Sequence, residues 1–312
     1  LKSFLTAVLV LFLTSAALAD LTMVQKVQVK RENEWNAAMN QKDEHVETVY
    51  FKGKKLRVDV KDNKAYTIAD FEKGFLYTVE PDKKAYSKVS MANLAKLRDV
   101  AFYQIKQRLD QLDNLKPEEK AAAEMMWGPM LKKMREEVEN KDKATKVEVE
   151  NPEETKKIAG HECRRMIIKE DGRKVLDMWL TDEVQSEVNL AEVLSSVTLF
   201  SESVKSEIKK IKGFSLGTTY IFKIAGQSNE NSSETIELKT DELPADKFEI
   251  PEDFTNEESP LTDAIKQYDE WMKEKAKKSE EKKEDGEKTQ EQEQEQEKEA
   301  SPAEPEKAQE EK

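Results

Sequence analysis

Residues 55–89 read KLRVDVKDNKAYTIADFEKGFLYTVEPDKKAYSKV, and this stretch decides the fold. Leu56, Val58 and Val60 alternate with Lys55, Arg57 and Asp59, a period-two pattern that buries one face of a strand. Asp62-Asn63 turns the chain into a second extended run over Lys64–Asp70. Glu72-Lys73-Gly74 leads into Phe75–Glu80, and Pro81-Asp82 turns into Lys84–Val89. Short strands joined by tight turns predict an antiparallel meander. No strand–helix–strand alternation interrupts it, which argues against a doubly wound nucleotide-binding sheet.

Upstream, Met23, Val27 and Val29, then Val46, Thr48 and Tyr50, extend the strand pattern towards the N terminus. Downstream the period changes at Ser90. Leu94, Leu97, Ala101, Ile105, Leu109 and Leu112 recur at helical steps. Pro117 with Glu118 and Glu119 starts a second helix, with acids at the positive end of its dipole. Trp127, Met130, Leu131 and Met134 share one face of it, and Gly128-Pro129 is expected to kink or break it. Residues 91–139 are therefore read as a helical hairpin inserted between two runs of strands. Strands are expected again over Ala144–Glu150, Thr155–Ala159, His161–Lys169 and Lys174–Leu180, with Asp171-Gly172 as a hairpin turn. Val193, Val197, Phe200, Val204, Ile208 and Ile211 predict one long helix that ends before Gly213. Strands over Thr218–Ile224, Ser233–Lys239 and around Phe248-Glu249-Ile250 close the domain at Pro251.

The chain has 312 residues, 38% of them charged, and a net charge of -13, against a typical charged fraction of about 25%. The charge is unevenly spread. Five acids face one lysine in 255–272 and fifteen face ten in 273–312, so most of the acidity is an appendix. The reading of the whole is residues 20–254 as one domain, 255–279 as a short amphipathic helix bearing Leu261, Ile265, Tyr268, Trp271 and Met272, and 280–312 as a disordered charged tail. That tail lacks the apolar groups that offset ordering entropy. An acidic chain is a poor partner for nucleic acid.

Residues 1–19 have the form of a secretory signal. Lys2 precedes the apolar run Phe4–Leu13, and Ala17-Leu18-Ala19 is a small-residue cleavage pattern. The apolar run is shorter than the ~20 residues that span a bilayer. The expectation is export to a bacterial periplasm with cleavage after Ala19, and no membrane-spanning segment thereafter. Cys163 is then a lone thiol, read as a small core residue because free cysteine is among the most buried types.

The search for chemistry yields little. His45 and His161 are the two histidines, and neither stands in a metal-ligand spacing. His161 and Cys163, two apart on a strand, form the one nucleophile–base pairing to consider. No catalytic residue, metal or cofactor is assigned, and the protein is read as a non-enzyme. Met125, Met126, Trp127, Met130 and Met134 form a cluster of the kind that accepts variable apolar shapes. They are the candidate ligand-binding residues.

The order of motifs resembles a family of bacterial periplasmic proteins of unknown function with a fold like that of the lipoprotein carriers LolA and LolB. The residues that carry the resemblance are Ile158-Ala159-Gly160-His161-Glu162-Cys163, Asp177-Met178-Trp179-Leu180-Thr181, Gly213-Phe214-Ser215-Leu216 and Pro244-Ala245-Asp246-Lys247-Phe248-Glu249-Ile250-Pro251. Ser215 stands where the family usually shows Pro. The resemblance covers roughly 20–254. It implies an α+β fold in which a curved antiparallel sheet forms an open half-barrel, with the helical hairpin and long helix covering its concave face. It also implies a soluble carrier of a lipid, fatty acyl chain or lipoprotein, the hairpin gating the cavity. The alternative is an envelope interaction or sensing scaffold that contacts its partner through the acidic tail.

Overall fold

The computed structural model describes residues 20–188, 193–194 and 199–277. The expected leader and the expected disordered tail beyond 280 lie outside the described residues. The chain divides into two compact units, the first ending at Thr262 and the second beginning at Asp263.

The first unit opens with six consecutive strands: β1 (Leu21–Asn33), β2 (Gln41–Lys52), β3 (Lys55–Val60), β4 (Tyr66–Asp70), β5 (Phe75–Glu80) and β6 (Ala85–Ser90). Each pairs antiparallel with the next, as the alternation in 55–89 predicts. Helices α1 (Met91–Leu94), α2 (Leu97–Asp113) and α3 (Pro117–Asn140) follow. Then come β7 (Val147–Glu150), β8 (Thr155–Ile158), β9 (His161–Glu170), β10 (Arg173–Thr181), α4 (Glu202–Ile208), β11 (Phe214–Ile224), β12 (Gln227–Thr240) and β13 (Thr255–Glu257).

All thirteen strands form one sheet in the order β13-β6-β5-β4-β3-β2-β1-β12-β11-β10-β9-β7, with β8 also paired to β9. The two meanders are stitched together by β1, which pairs with β2 on one side and β12 on the other. Every pairing is antiparallel except β13 on β6. The terminal strands do not meet, so the sheet is open.

Burial explains why β1 can be central. Leu21, Met23 and Val27 are buried on one face, opposite Phe51 and Val49 of β2. Leu21, Met23, Val49 and Phe51 join Leu56, Phe214, Leu216, Ile158 and Cys163 in one apolar cluster, which Val184 and Val188 also enter. A second cluster lies where Phe200, with Val204 and Ile208 of α4, packs onto Met166, Ile168, Leu176 and Met178 of β9 and β10.

Four expectations are corrected by the structure. The long helix over 193–211 is not continuous: residues 193–194 are helical, but Leu199 and Phe200 are not. Helix α4 starts afresh, with Ser201 capping the Val204 amide. The apolar spacing misleads because Phe200, Val204 and Ile208 reach the same cluster across that break. Gly128-Pro129 does not break α3, which runs to Asn140. The carbonyl that loses its partner there belongs to the turn of Met125, which is open to solvent. Phe248 is not in a strand. It ends a 3-10 turn over Ala245–Phe248 and is buried by it. The sheet does not end at 254, since β13 adds to its edge.

The hairpin α2–α3 has a core of its own. Phe102, Ile105, Leu109 and Leu131 form one cluster, against which Met130, Met134 and Val138 of α3 and Ile224 and Ala225 at the β11–β12 turn also pack. Glu137 accepts the Ala225 amide proton, and Glu34 pairs with both Lys133 of α3 and Lys223 of β11. These contacts seat the hairpin at the β11–β12 turn, where Ile224 lies on the same face of β11 as Tyr220 of the α4 cluster.

In the chain beyond Ser259, residues 260–277 are helical. Tyr268 and Trp271 stack on this helix with centroids 6.1 Å apart, and the Lys275 ammonium lies 5.2 Å from the Trp271 ring. No helix among the described residues is long and apolar enough to cross a membrane.

Candidate functional site

A cleft of about 370 Å³ lies on the face of the sheet that carries Met23 and Val49, lined from β1, β2, β3, β11 and β12 and completed by Val193 and Leu194 from outside the sheet. Its volume falls near the lower end of the ~300–1,000 Å³ range of small-molecule sites.

Directly paired residues of an antiparallel sheet share a face, so the register lays the cleft floor out in rows about 7 Å apart. At one end Met23, Val49 and Val58 form an apolar row, with Leu56 and Leu216 beside them in the lining. The next row is polar: Thr235, Gln25 and Glu47 stand opposite one another. Beyond it come Thr218, Ser233, Val27 and His45, then Tyr220, Asn231 and Val29. A polar belt thus crosses the sheet next to an apolar floor.

The belt is internally bonded. The Gln25 side-chain amide donates to one Glu47 oxygen. The other Glu47 oxygen lies 3.8 Å from His45 Nε2, beyond hydrogen-bond reach, while His45 Nδ1 is 3.5 Å from Asp43. Ser215 Oγ lies 2.9 Å from the Gly217 carbonyl and 2.8 Å from Thr218 Oγ1. Thr235 is 2% exposed, and its hydroxyl has no hydrogen-bond partner among the described residues. Burial pushes the Tyr220 phenol above its usual pKa, and the Glu47 carboxylate adds to this. Tyr220 therefore stays neutral, with its ring edge-on to Phe200 at 6.5 Å. It joins the cleft to the core beneath α4.

The five residues singled out from the sequence are divided by the structure. Met130 and Met134 pack against the α2–α3 cluster of Phe102, Ile105, Leu109 and Leu131. Met125, Met126 and Trp127 are 86%, 67% and 45% exposed. None of the five lines the cleft. Cys163 is completely buried, and that burial pushes its thiol above the usual range. Its Sγ contacts the His161 carbonyl at 3.6 Å, while the His161 ring bonds Glu183 at 2.8 Å. The thiol and the imidazole thus bond different partners. No group of three or more His, Cys, Asp or Glu side chains with metal-binding geometry exists among the described residues.

Gln25, Glu47, Thr218, Asn231 and Ser233 are the cleft residues that sequence reading misses. Polar residues at alternate positions of a strand read as a solvent face. Only the pairing of β1 with both β2 and β12 turns them inward.

Fold and site together define an α+β protein built on a large open antiparallel sheet with an apolar cleft crossed by a polar belt. The chain belongs to the family described as a domain of unknown function, DUF4412, whose pattern matches residues 95–254. No curated protein matches the sequence. Among solved structures, PNGF-II in two crystal forms is 8% and 10% identical over 79% of this chain, with TM-scores of 0.32 and 0.33. This chain spans about a third of the PNGF-II chains, 34% and 33%. A LolA superfamily protein from Nitrosomonas europaea is 9% identical over 73% of this chain and 90% of its own, with a TM-score of 0.25.

Proposed function

We propose that this protein is a periplasmic, non-enzymatic binding protein or carrier for an amphiphile, exported by cleavage after Ala19, with the open sheet serving as a half-barrel of the LolA/LolB type. The observation that carries the reading is the cleft, where an apolar floor of Met23, Val49, Leu56, Val58 and Leu216 adjoins the Gln25–Glu47 belt. An apolar chain on that floor removes hydrocarbon from water at roughly 25 cal/mol per Å², and the belt is at the right place for a head group. The volume of about 370 Å³ suits a single chain. Of the ligands the motif resemblance implies, a lone acyl chain fits better than a whole multi-chain lipoprotein anchor.

Val193 and Leu194 complete the cleft from outside the sheet, so ligand entry passes these two side chains rather than the hairpin. Native mass spectrometry of protein purified from a bacterial periplasm tests the reading. A non-covalent adduct of lipid mass is expected, and it should be lost when Val58→Trp fills the floor. Finding no adduct in either protein, together with no uptake of an apolar fluorescent probe, sinks it.

The exposed Met125, Met126 and Trp127 favour a second reading, an envelope interaction scaffold. In that case Met126→Ser with Trp127→Ser would abolish partner capture and leave ligand uptake untouched.

A further inference from the structure

The cleft contains an electrostatic asymmetry that bears on which amphiphile it takes. Among the described residues that line it, no Lys or Arg is present, and the charged lining group is the Glu47 carboxylate, with His45 beside it. The surrounding cations are directed elsewhere. Lys26 on the opposite face of β1 pairs with Glu44 at 2.7 Å, and Arg57 on the opposite face of β3 holds Asp59 at 2.6 Å. Glu47 itself is largely shielded, its side chain 17% exposed. Gln25 satisfies one of its oxygens. The second oxygen has no hydrogen bond among the described contacts and stays open to a donor. Thr235, whose hydroxyl is buried without a partner among the described residues, lies across Gln25 in the same row, two strands from Glu47.

Resting on the carrier reading above, we infer that the cleft selects a single-chain amphiphile with a cationic, primary-amine head group. The ammonium sits on the free oxygen of Glu47, and the chain lies along Met23, Val49 and Val58. A primary ammonium brings three donors and no acceptor. The lining offers it an acceptor without a donor, the free Glu47 oxygen. A carboxylate or phosphate head brings only negative charge and acceptors to a lining without a cation. Like charges brought together in a partly desolvated cleft repel strongly. The aliphatic floor is indifferent to the head, so discrimination rests on the belt alone.

Decylamine, 1-decanol and decanoate, titrated at pH 7 by displacement of an apolar fluorescent probe, separate the head from the chain. Decylamine is expected to bind about tenfold or more tighter than decanoate, with decanol between them. Glu47→Gln retains the bond to Gln25 and the shape of the belt. It should bring the amine and carboxylate affinities together, and an unchanged circular dichroism spectrum and thermal midpoint report an intact fold. Equal binding of amine and carboxylate by the native protein, preference for the carboxylate, or a preference that survives Glu47→Gln overturns the inference and leaves the cleft-binding reading standing. Failure of all three to bind overturns both.

Discussion

At the scale of single residues, the most strongly constrained polar group is Asp177 of β10. Its side chain is 9% exposed and takes a bidentate pair of bonds from Arg165, at 3.0 and 2.8 Å, plus Lys174 at 3.0 Å. Burial opposes its ionisation, but the Arg165 and Lys174 bonds outweigh burial and hold the carboxyl below the usual range. Asp177→Asn should cost about 1.5–3 kcal/mol at pH 7, the size of a charge-assisted bond lost from a largely buried site. A folded-state pKa below the unfolded value of about 3.9 stabilises the protein fully above that value. The contribution fades as pH falls through the folded-state pKa. Denaturant midpoints of the two proteins should therefore converge in acid, and a gap that persisted or widened there would contradict the assignment. Cys163 gives a second residue-scale outcome. Its full burial predicts no reaction with a thiol reagent in the native protein and one equivalent in urea. Its place in the core was legible, because a strand-embedded cysteine in an apolar run has a local signature. The roles of Gln25 and Glu47 were not, because a polar residue carries no mark of which neighbour it will face.

At the scale of elements, the meander was readable because period two and tight-turn residues are local signals, and β3 to β6 lie where the alternation puts them. Two helices show the limits of periodicity. The stripe from Val193 to Ile211 records which residues reach the core but not that Ser201 restarts the helix. Ser201→Ala removes the cap and should cost about 1 kcal/mol, measured as a lower thermal midpoint; no change would mean that the cap is idle. In α3, Pro129 sits in an uninterrupted helix. Proline inside a helix costs about 3 kcal/mol relative to alanine, and part of this is offset because proline also restricts the unfolded chain. Pro129→Ala should therefore raise stability, by an amount below that ceiling. A fall in stability would mean that the turn at Gly128 needs proline for its shape. The hairpin's position escaped the sequence because its partner, the Ala225-Gly226 turn, is nearly a hundred residues away. Both turn residues have left-handed backbones, φ of 50° and 74°, and a Cβ at 226 would fall on the Trp35 ring. Glycine is required there.

At the scale of the whole molecule, charge and function separate along the chain. The acidity concentrated in 255–312 bears on solubility and contacts, whereas every residue lining the cleft lies between Met23 and Ser233. Deleting 278–312 should leave ligand affinity unchanged; a large loss would assign the tail to the site. The sheet and its cleft come from long-range pairing, above all β1 with β12, which joins residues about two hundred apart. No local pattern announces that pairing, so the sequence reading placed the ligand on the methionine-rich hairpin. The most direct test compares uptake of an apolar fluorescent probe by the native protein, by Val58→Trp and by a Met125→Ser, Met126→Ser double variant. Loss of uptake in Val58→Trp alone is the predicted result. Retention in Val58→Trp with loss in the hairpin variant would contradict the account and move the site to α3.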